Sequence, residues 1–135
     1  MKNNGTDKST VGKFGEEAAA KYLKKKKYKI IATNVHAGRS EIDIIARTKD
    51  TLVFVEVKTR AYEEGAPAIG RPADAVNKSK MTYLIRGAAR FCSENGFKYS
   101  DYYKRFDIIE VYLERSPSGS RVKEILHFEN AFGRI

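Results

Sequence analysis

Two short runs, Ser40-Glu41-Ile42-Asp43-Ile44-Ile45-Ala46 and Val53-Phe54-Val55-Glu56-Val57-Lys58, set ionisable side chains into otherwise apolar, strand-like sequence. Thr48-Lys49-Asp50-Thr51 between them reads as a hairpin turn. If the hairpin is symmetric about that turn, Asp43 lies opposite Glu56 and Glu41 opposite Lys58. Side chains alternate faces along a strand, so Glu56 and Lys58 also share a face. Directly opposed Cβ atoms are about 4.5–5.5 Å apart, and two carboxylates at that distance repel unless a cation stands between them. A divalent metal ion is the obvious candidate.

The set Asp43, Glu56, Lys58 suits phosphodiester hydrolysis. Mg²⁺ prefers hard oxygen ligands and is usually held by one or two carboxylates together with phosphate and water. Asp43 and Glu56 could supply those carboxylates, and Lys58 could position the attacking water or offset charge growing on the phosphate. The pattern also permits a plain reading in which Glu41 pairs with Lys58, Arg47 or Arg60 offsets the rest, and the face is wet. Val53, Val55 and Val57, with Ile42, Ile44 and Ala46 opposite, make one face apolar, and Ile45 with Phe54 does the same on the other. A hairpin apolar on both faces is buried, and its carboxylates then need partners.

The elements that must carry these residues follow from periodicity. Val11, Phe14, Ala18 and Tyr22 recur at helical steps, predicting an amphipathic helix over residues 10–26 that ends in lysines favourable to its dipole. Glu16 and Glu17 fall at the margins of its apolar stripe. A strand is expected over 28–35, the hairpin over 40–47 and 52–59, and a Gly/Pro-containing loop over 61–73. A second helix over 73–94, with Asp74 as N-cap, and a second hairpin (105–113, 122–128, turning at Ser116-Pro117-Ser118-Gly119) complete the chain. The order α-β-β-β-α-β-β predicts an α/β fold, a central mixed five-stranded sheet flanked by helices.

At 135 residues one domain is expected, over 10–135, with 1–9 as a polar tail. No apolar run approaches the ~20 residues of a membrane span. The start of the chain lacks an apolar signal core, so a cytoplasmic protein is expected. The lone Cys92 has no partner for an internal disulfide and reads as a small packing residue. The net charge of +9 favours a polyanionic partner such as nucleic acid, with Lys24, Lys25, Lys26 and Lys27 as its densest run. Tyr62, Tyr83, Tyr99, Tyr102 and Tyr103 could stack on unpaired bases, although core and rim positions are the commoner use of tyrosine.

The succession Gly12-x-x-Gly15-Glu16-x-x-Ala19-x-x-Tyr22-Leu23, Asn34, Glu41 to Ala46, Val53 to Lys58-x-Arg60, Ala75-Val76-x-x-x-Lys80, Arg105-Phe106-Asp107 and Asn130-Ala131-Phe132 resembles the bacterial YraN family. That family's motifs are in turn similar to those of the PD-(D/E)XK nucleases, Holliday-junction resolvases in particular. The resemblance implies a restriction endonuclease-like core and a Mg²⁺- or Mn²⁺-dependent endonuclease acting on DNA, rather than RNA, plausibly branched or single-stranded. It implies Asp43, Glu56 and the backbone carbonyl of Val57 as metal ligands, Lys58 as the catalytic lysine and Glu16 as an auxiliary carboxylate. It adds Arg60 and Lys80 as nucleic-acid contacts, and a homodimer if two strands are cut. Ser40 stands where the family has glycine and His36 where it has arginine, and Arg39 can take over that phosphate contact. His36 and His127 are expected to be structural or to touch phosphate, and Asp107 to pair with Arg105 or Arg60. Two other readings stay open: a non-catalytic nucleic-acid-binding module, and a domain whose lysine-rich helix meets an acidic protein.

Overall fold

The computed structural model describes residues 4–65, 78–95, 99 and 101–132, with the backbone alone for residues 4–9 and 78. Helix α1 (Asn4–Lys25) leads into strands β1 (Lys29–Ala37), β2 (Ser40–Thr48) and β3 (Thr51–Glu63), then α2 (Lys78–Glu94), β4 (Tyr103–Ser116) and β5 (Gly119–Phe132). The five strands lie side by side in sequence order. Every neighbouring pair is antiparallel except β3 and β4, which run parallel. Parallel neighbours need a crossover, and the segment containing α2 makes it. The expected mixed sheet and element order are therefore present.

Val53, Val55 and Val57 point to the α1 side, where they pack with Ile109, Val111 and Leu113 beneath Ala19 and Leu23. Leu52, Phe54 and Phe106 point to the α2 side, beneath Leu84 and Ala88. With both faces covered, β3 and β4 carry near-continuous apolar sequence, as strands buried on two sides require. Half-buried Cys92 packs at the margin of the α2-side core, where burial pushes its thiol up.

Several boundaries differ from the sequence expectation. Helix α1 begins at Asn4 rather than near residue 10, because the apolar stripe marks where a helix packs and not where it starts. It ends where the lysines predict: Lys27 takes φ 75° while Tyr28 N–H reaches Leu23 C=O and Lys27 N–H reaches Lys24 C=O. That closure is a Schellman cap with lysine in the position glycine usually holds. Strand β3 runs to Glu63, three residues into the expected loop, because β4 supplies a partner as far as Arg115. Residues 66–73 of that loop, Asp74 as a cap and the Ala75-Val76 motif lie outside the described residues.

Candidate active site

The β2–β3 hairpin has the register its turn implies, from Thr48 opposite Thr51 to Ile44 opposite Val55. The ladder stops there, one step short of Asp43 and Glu56. On the other side of β2, Thr33 pairs with Ile44 and Val35 with Ile42, so Asn34 lies across from Asp43, at φ 52°. The strand alternation reverses at this point. Ile44 packs on the α1 side, whereas Ile42 joins Ile45, Phe54 and Leu84 on the α2 side. The expected apolar row of Ile42, Ile44 and Ala46 is thus corrected: Ile42 faces the other way. Asp43, at the reversal, accepts a hydrogen bond from Val57 N–H at 2.8 Å through Oδ2. A side chain takes over where the backbone ladder ends.

Glu56 is buried at 4% exposure and accepts two lysines on Oε2, Lys58 Nζ at 3.1 Å and Lys80 Nζ at 2.5 Å. Lys58 comes from the same strand and Lys80 from the first turns of α2. The expected pair of Glu41 with Lys58 does not form. With the hairpin ladder ended, Glu41 instead approaches the exposed His36 at 3.5 Å. Glu110 sits beside Lys58 in the parallel β3–β4 register, fully buried, and accepts from Tyr112 O–H at 3.1 Å. Sequence reasoning missed it, because only the pairing of β3 with β4 brings Glu110 to Lys58.

Helix α1 reaches the site by lying directly on β3. A Cβ on Gly15 would fall 1.8 Å from Oγ1 of Thr59, so only glycine permits that approach. Glu16, the next residue, is carried within electrostatic reach of Glu41, Asp43 and Glu56 and is hydrogen-bonded by Asn34. Burial first, and then the charges of Glu41 and Glu56, raise its carboxyl above the ordinary range, with Asn34 acting against them. Asp43 is pushed up to about 8, by burial and then by the charge of Glu56, against the Val57 hydrogen bond. Burial opposes the charge on Lys80, yet its contact with Glu56 carries its pKa above the usual lysine value.

Asp43, Glu56 and Lys80 border a cleft of about 420 Å³, lined also by Arg39, Ser40 and Tyr83 among others. Ser40 Oγ is buried without a hydrogen-bond partner among the described residues. Asp43 carries the surplus: both lysine contacts fall on Glu56, while Asp43 holds an amide and sits among acids. That donor set, two carboxylates beside the Val57 carbonyl, fits a hard divalent ion that keeps several waters. Among the described residues no three His, Cys, Asp or Glu side chains converge on one point, so Glu16 does not close a three-acid cage.

The match of a family model over residues 15–111 spans this whole arrangement, from the glycine beneath Glu16 to the strand that carries Glu110. The chain belongs to the uncharacterised protein family UPF0102. Relatives agree over nearly full length. The UPF0102 protein of Caldanaerobacter subterraneus subsp. tengcongensis is 42% identical over 126 residues, covering 93% of this chain and 97% of the relative. That of Acetivibrio thermocellus is 40% identical over 130 residues, covering 96% and 95%. That of Alkaliphilus oremlandii is 41% identical over 122 residues, covering 90% and 97%. The expected YraN-type membership is thereby established.

Not every charged residue singled out in this UPF0102 chain is near the cleft. Lys24 and Lys25 lie eight and nine residues beyond Glu16, about 12–14 Å along α1 at its rise per residue, and Lys26 and Lys27 follow its end. Arg60 is exposed, two residues past Lys58 on β3, and does not line the cleft. Asp107, also within the UPF0102 match, belongs to a separate cluster on the α1 side. Arg105 grips it with two nitrogens at 2.9 and 2.8 Å, Asn130 N–H donates at 3.0 Å, and His127 Nε2 lies at 2.7 Å. His127 Nδ1 meets Tyr22 O–H at 3.1 Å, and Arg105 also donates to Tyr28 O–H. This network ties the end of α1 to β4 and β5, which makes Asp107 and His127 structural and bears out the Arg105 pairing. Of the tyrosines, Tyr99 is core, Tyr83 lines the cleft and Tyr103 is 70% exposed.

Proposed function

We propose that this UPF0102 protein is a metal-dependent endonuclease hydrolysing phosphodiester bonds in branched or single-stranded DNA. One observation carries the reading: Asp43 and Glu56 meet at the cleft where β2 parts from β3, with Lys58 held on Glu56 and with Arg39 and Lys80 at the cleft wall. The net charge of +9 suits a polyanionic substrate. Asp43, Glu56 and the Val57 carbonyl would hold the ion. Bound there, Mg²⁺ or Mn²⁺ would polarise the phosphate and lower the pKa of a water molecule.

The chain's own residues do the rest. Val57 N–H fixes one oxygen of Asp43, so the carboxylate is set in place before substrate arrives. Lys58, held against Glu56, is within reach of a water approaching phosphorus and can hydrogen-bond it. Buried Glu110 lies next to Lys58 in the parallel β3–β4 register. As the water oxygen bonds to phosphorus it releases a proton to solvent, the bridging P–O bond breaks, and the leaving oxygen takes up a proton from solvent. Lys80 and Arg39 offset the charge spread over the phosphate oxygens. Cutting two strands of a junction would call for two copies of the chain.

The test is incubation of the purified protein with single-stranded, duplex and four-way-junction DNA in Mg²⁺ and in Mn²⁺, beside Asp43→Asn, Glu56→Gln and Lys58→Ala. Cleavage by the wild type, lost in all three variants, is expected; no cleavage of any substrate in either metal would refute the proposal. A second reading, a non-catalytic nucleic-acid-binding module, draws on the two lysines already seated on Glu56, which satisfy that carboxylate without a metal. It expects salt-sensitive binding that Asp43→Asn leaves unchanged. Both readings suit a cytoplasmic protein; among the described residues no helix is long and apolar enough to cross a membrane.

A further inference from the structure

A second pocket, about 500 Å³, adjoins the catalytic cleft and shares Arg39 and Tyr83 with it. Its charge differs. The cleft sets Glu41, Asp43 and Glu56 beside Arg39 and Lys80; the second pocket is lined by Arg39, Arg86 and Arg90 and by no acid among the described residues.

The backbone builds it. Tyr83, Arg86, Gly87 and Arg90 recur at three- and four-residue steps and so form one face of α2. Gly87 lets that face close onto the β1–β2 turn, since a Cβ there would come within 3.1 Å of Ser40 Cβ and 3.3 Å of Ala37 C=O. The turn itself is tight: Ala37 pairs with Ser40, and Gly38 takes φ 64°. Arg39 is thereby presented to α2, where its Nη1 donates to Tyr83 O–H at 3.3 Å. Arg90 is braced by Glu94 through Nε at 3.1 Å, while its Nη1 extends towards Gly38. Arg86 is exposed, with no carboxylate partner among the described residues.

Three guanidinium groups on two separate elements, converging without an acid between them, suit the oxygens of a phosphate. A free anion would need only this pocket. Its continuity with an acidic cleft past Tyr83 instead fits a chain of phosphates, one at each place. We infer that the Arg39, Arg86 and Arg90 pocket seats a backbone phosphate neighbouring the one that faces Asp43 and Glu56, so that a nucleic-acid strand is led through both. The neighbouring position rests on the hydrolase reading; the phosphate seat itself does not.

The experiment measures binding of a fluorescently labelled single-stranded oligonucleotide in EDTA, by anisotropy, across a salt series. It compares wild type, Arg86→Gln with Arg90→Gln, and Lys24→Gln with Lys25→Gln, which removes equal charge from the last turn of α1. Loss of one phosphate contact lowers the slope of log affinity against log salt by about 0.7 for single strands. The arginine pair is expected to show that decrease and about tenfold weaker binding, and the lysine pair less than half as much. Equal effects of the two pairs, or none from the arginine pair, would overturn the inference. The hydrolase reading is separated by cleavage assays on the same proteins. A wild type that cuts nothing, yet binds through Arg86 and Arg90, sinks that reading and keeps the seat. One that cuts with unchanged KM in the arginine variant sinks the seat and keeps the hydrolase.

Discussion

Val57 N–H donates to Asp43 Oδ2 at 2.8 Å, immediately beyond the last ladder pair of β2 and β3, Ile44 and Val55. This bond reconciles two demands: the strands must separate to open a cleft, and the amide they leave behind must be satisfied. It also fixes the carboxylate from a rigid strand rather than a loop, which keeps its position independent of substrate.

Because the bond uses an oxygen that asparagine also has, Asp43→Asn should retain it, with stability within about 1 kcal/mol of wild type. Asp43→Ala leaves the amide without its partner and should cost about 1–3 kcal/mol. Urea unfolding of both variants, at matched pH without metal, distinguishes the structural bond from the charge. Equal destabilisation by the two would mean that the amide does not depend on this oxygen.

Lys80 touches Glu56 at 2.5 Å, so an ion bound as proposed would compete with Lys80 for that carboxylate. Lys80 is partly exposed, so solvent screens the competition and the effect should be modest. Lys80→Ala is expected to tighten Mn²⁺ binding about threefold, read by calorimetric titration without nucleic acid. Weaker binding in that variant would instead make Lys80 a support for the site.

Two glycines three residues apart on α1 should respond in opposite directions. Nothing lies within 4 Å of a Cβ on Gly12, whereas one on Gly15 collides with Thr59. Gly12→Ala should raise stability by about 0.5–1 kcal/mol through helix propensity. Gly15→Ala should lower it by about 1–3 kcal/mol as α1 is levered off β3. Thermal melts of the two variants check both signs, and restoring space with Thr59→Ala should rescue Gly15→Ala in part.

Burial alone would raise Asp107, but hydrogen bonds from His127, Arg105 and Asn130 N–H hold its carboxyl below the ordinary value. A carboxyl depressed in the folded state stabilises above its unfolded pKa, about 3.9, and that contribution is lost as pH falls through the lower folded value. Asp107→Asn should therefore cost about 3 kcal/mol at neutral pH, where Arg105 loses its partner, and less in acid. Denaturation midpoints of wild type and variant should converge below pH ~4; a constant difference would place the stabilisation elsewhere.

Much of this was legible in the chain itself. Period-two and period-3.6 patterns gave the element order, and the hairpin register followed from its turn, because such patterns are consequences of which faces are buried. Asp43, Glu56 and Lys58 were visible as charges in apolar strands, and Glu16 through the family resemblance. A local pattern could not reveal where a ladder stops. The end of the β2–β3 pairing after Ile44 and Val55, the reversal that turns Ile42 away, and the release of Glu41 from Lys58 depend on neighbours on both sides of the strand. The same holds for contacts distant in sequence. The lysine run holds the densest charge in the sequence, yet helix length carries it away from Glu16. Arg39, Arg86 and Arg90 have no such run, and Glu110 lies far from Lys58 along the chain; the packing of Gly87 on the β1–β2 turn and the parallel pairing of β3 with β4 bring them into place. Sequence determined which side chains need partners. The tertiary structure decided which partners they have, because burial and charge act across space rather than along the chain.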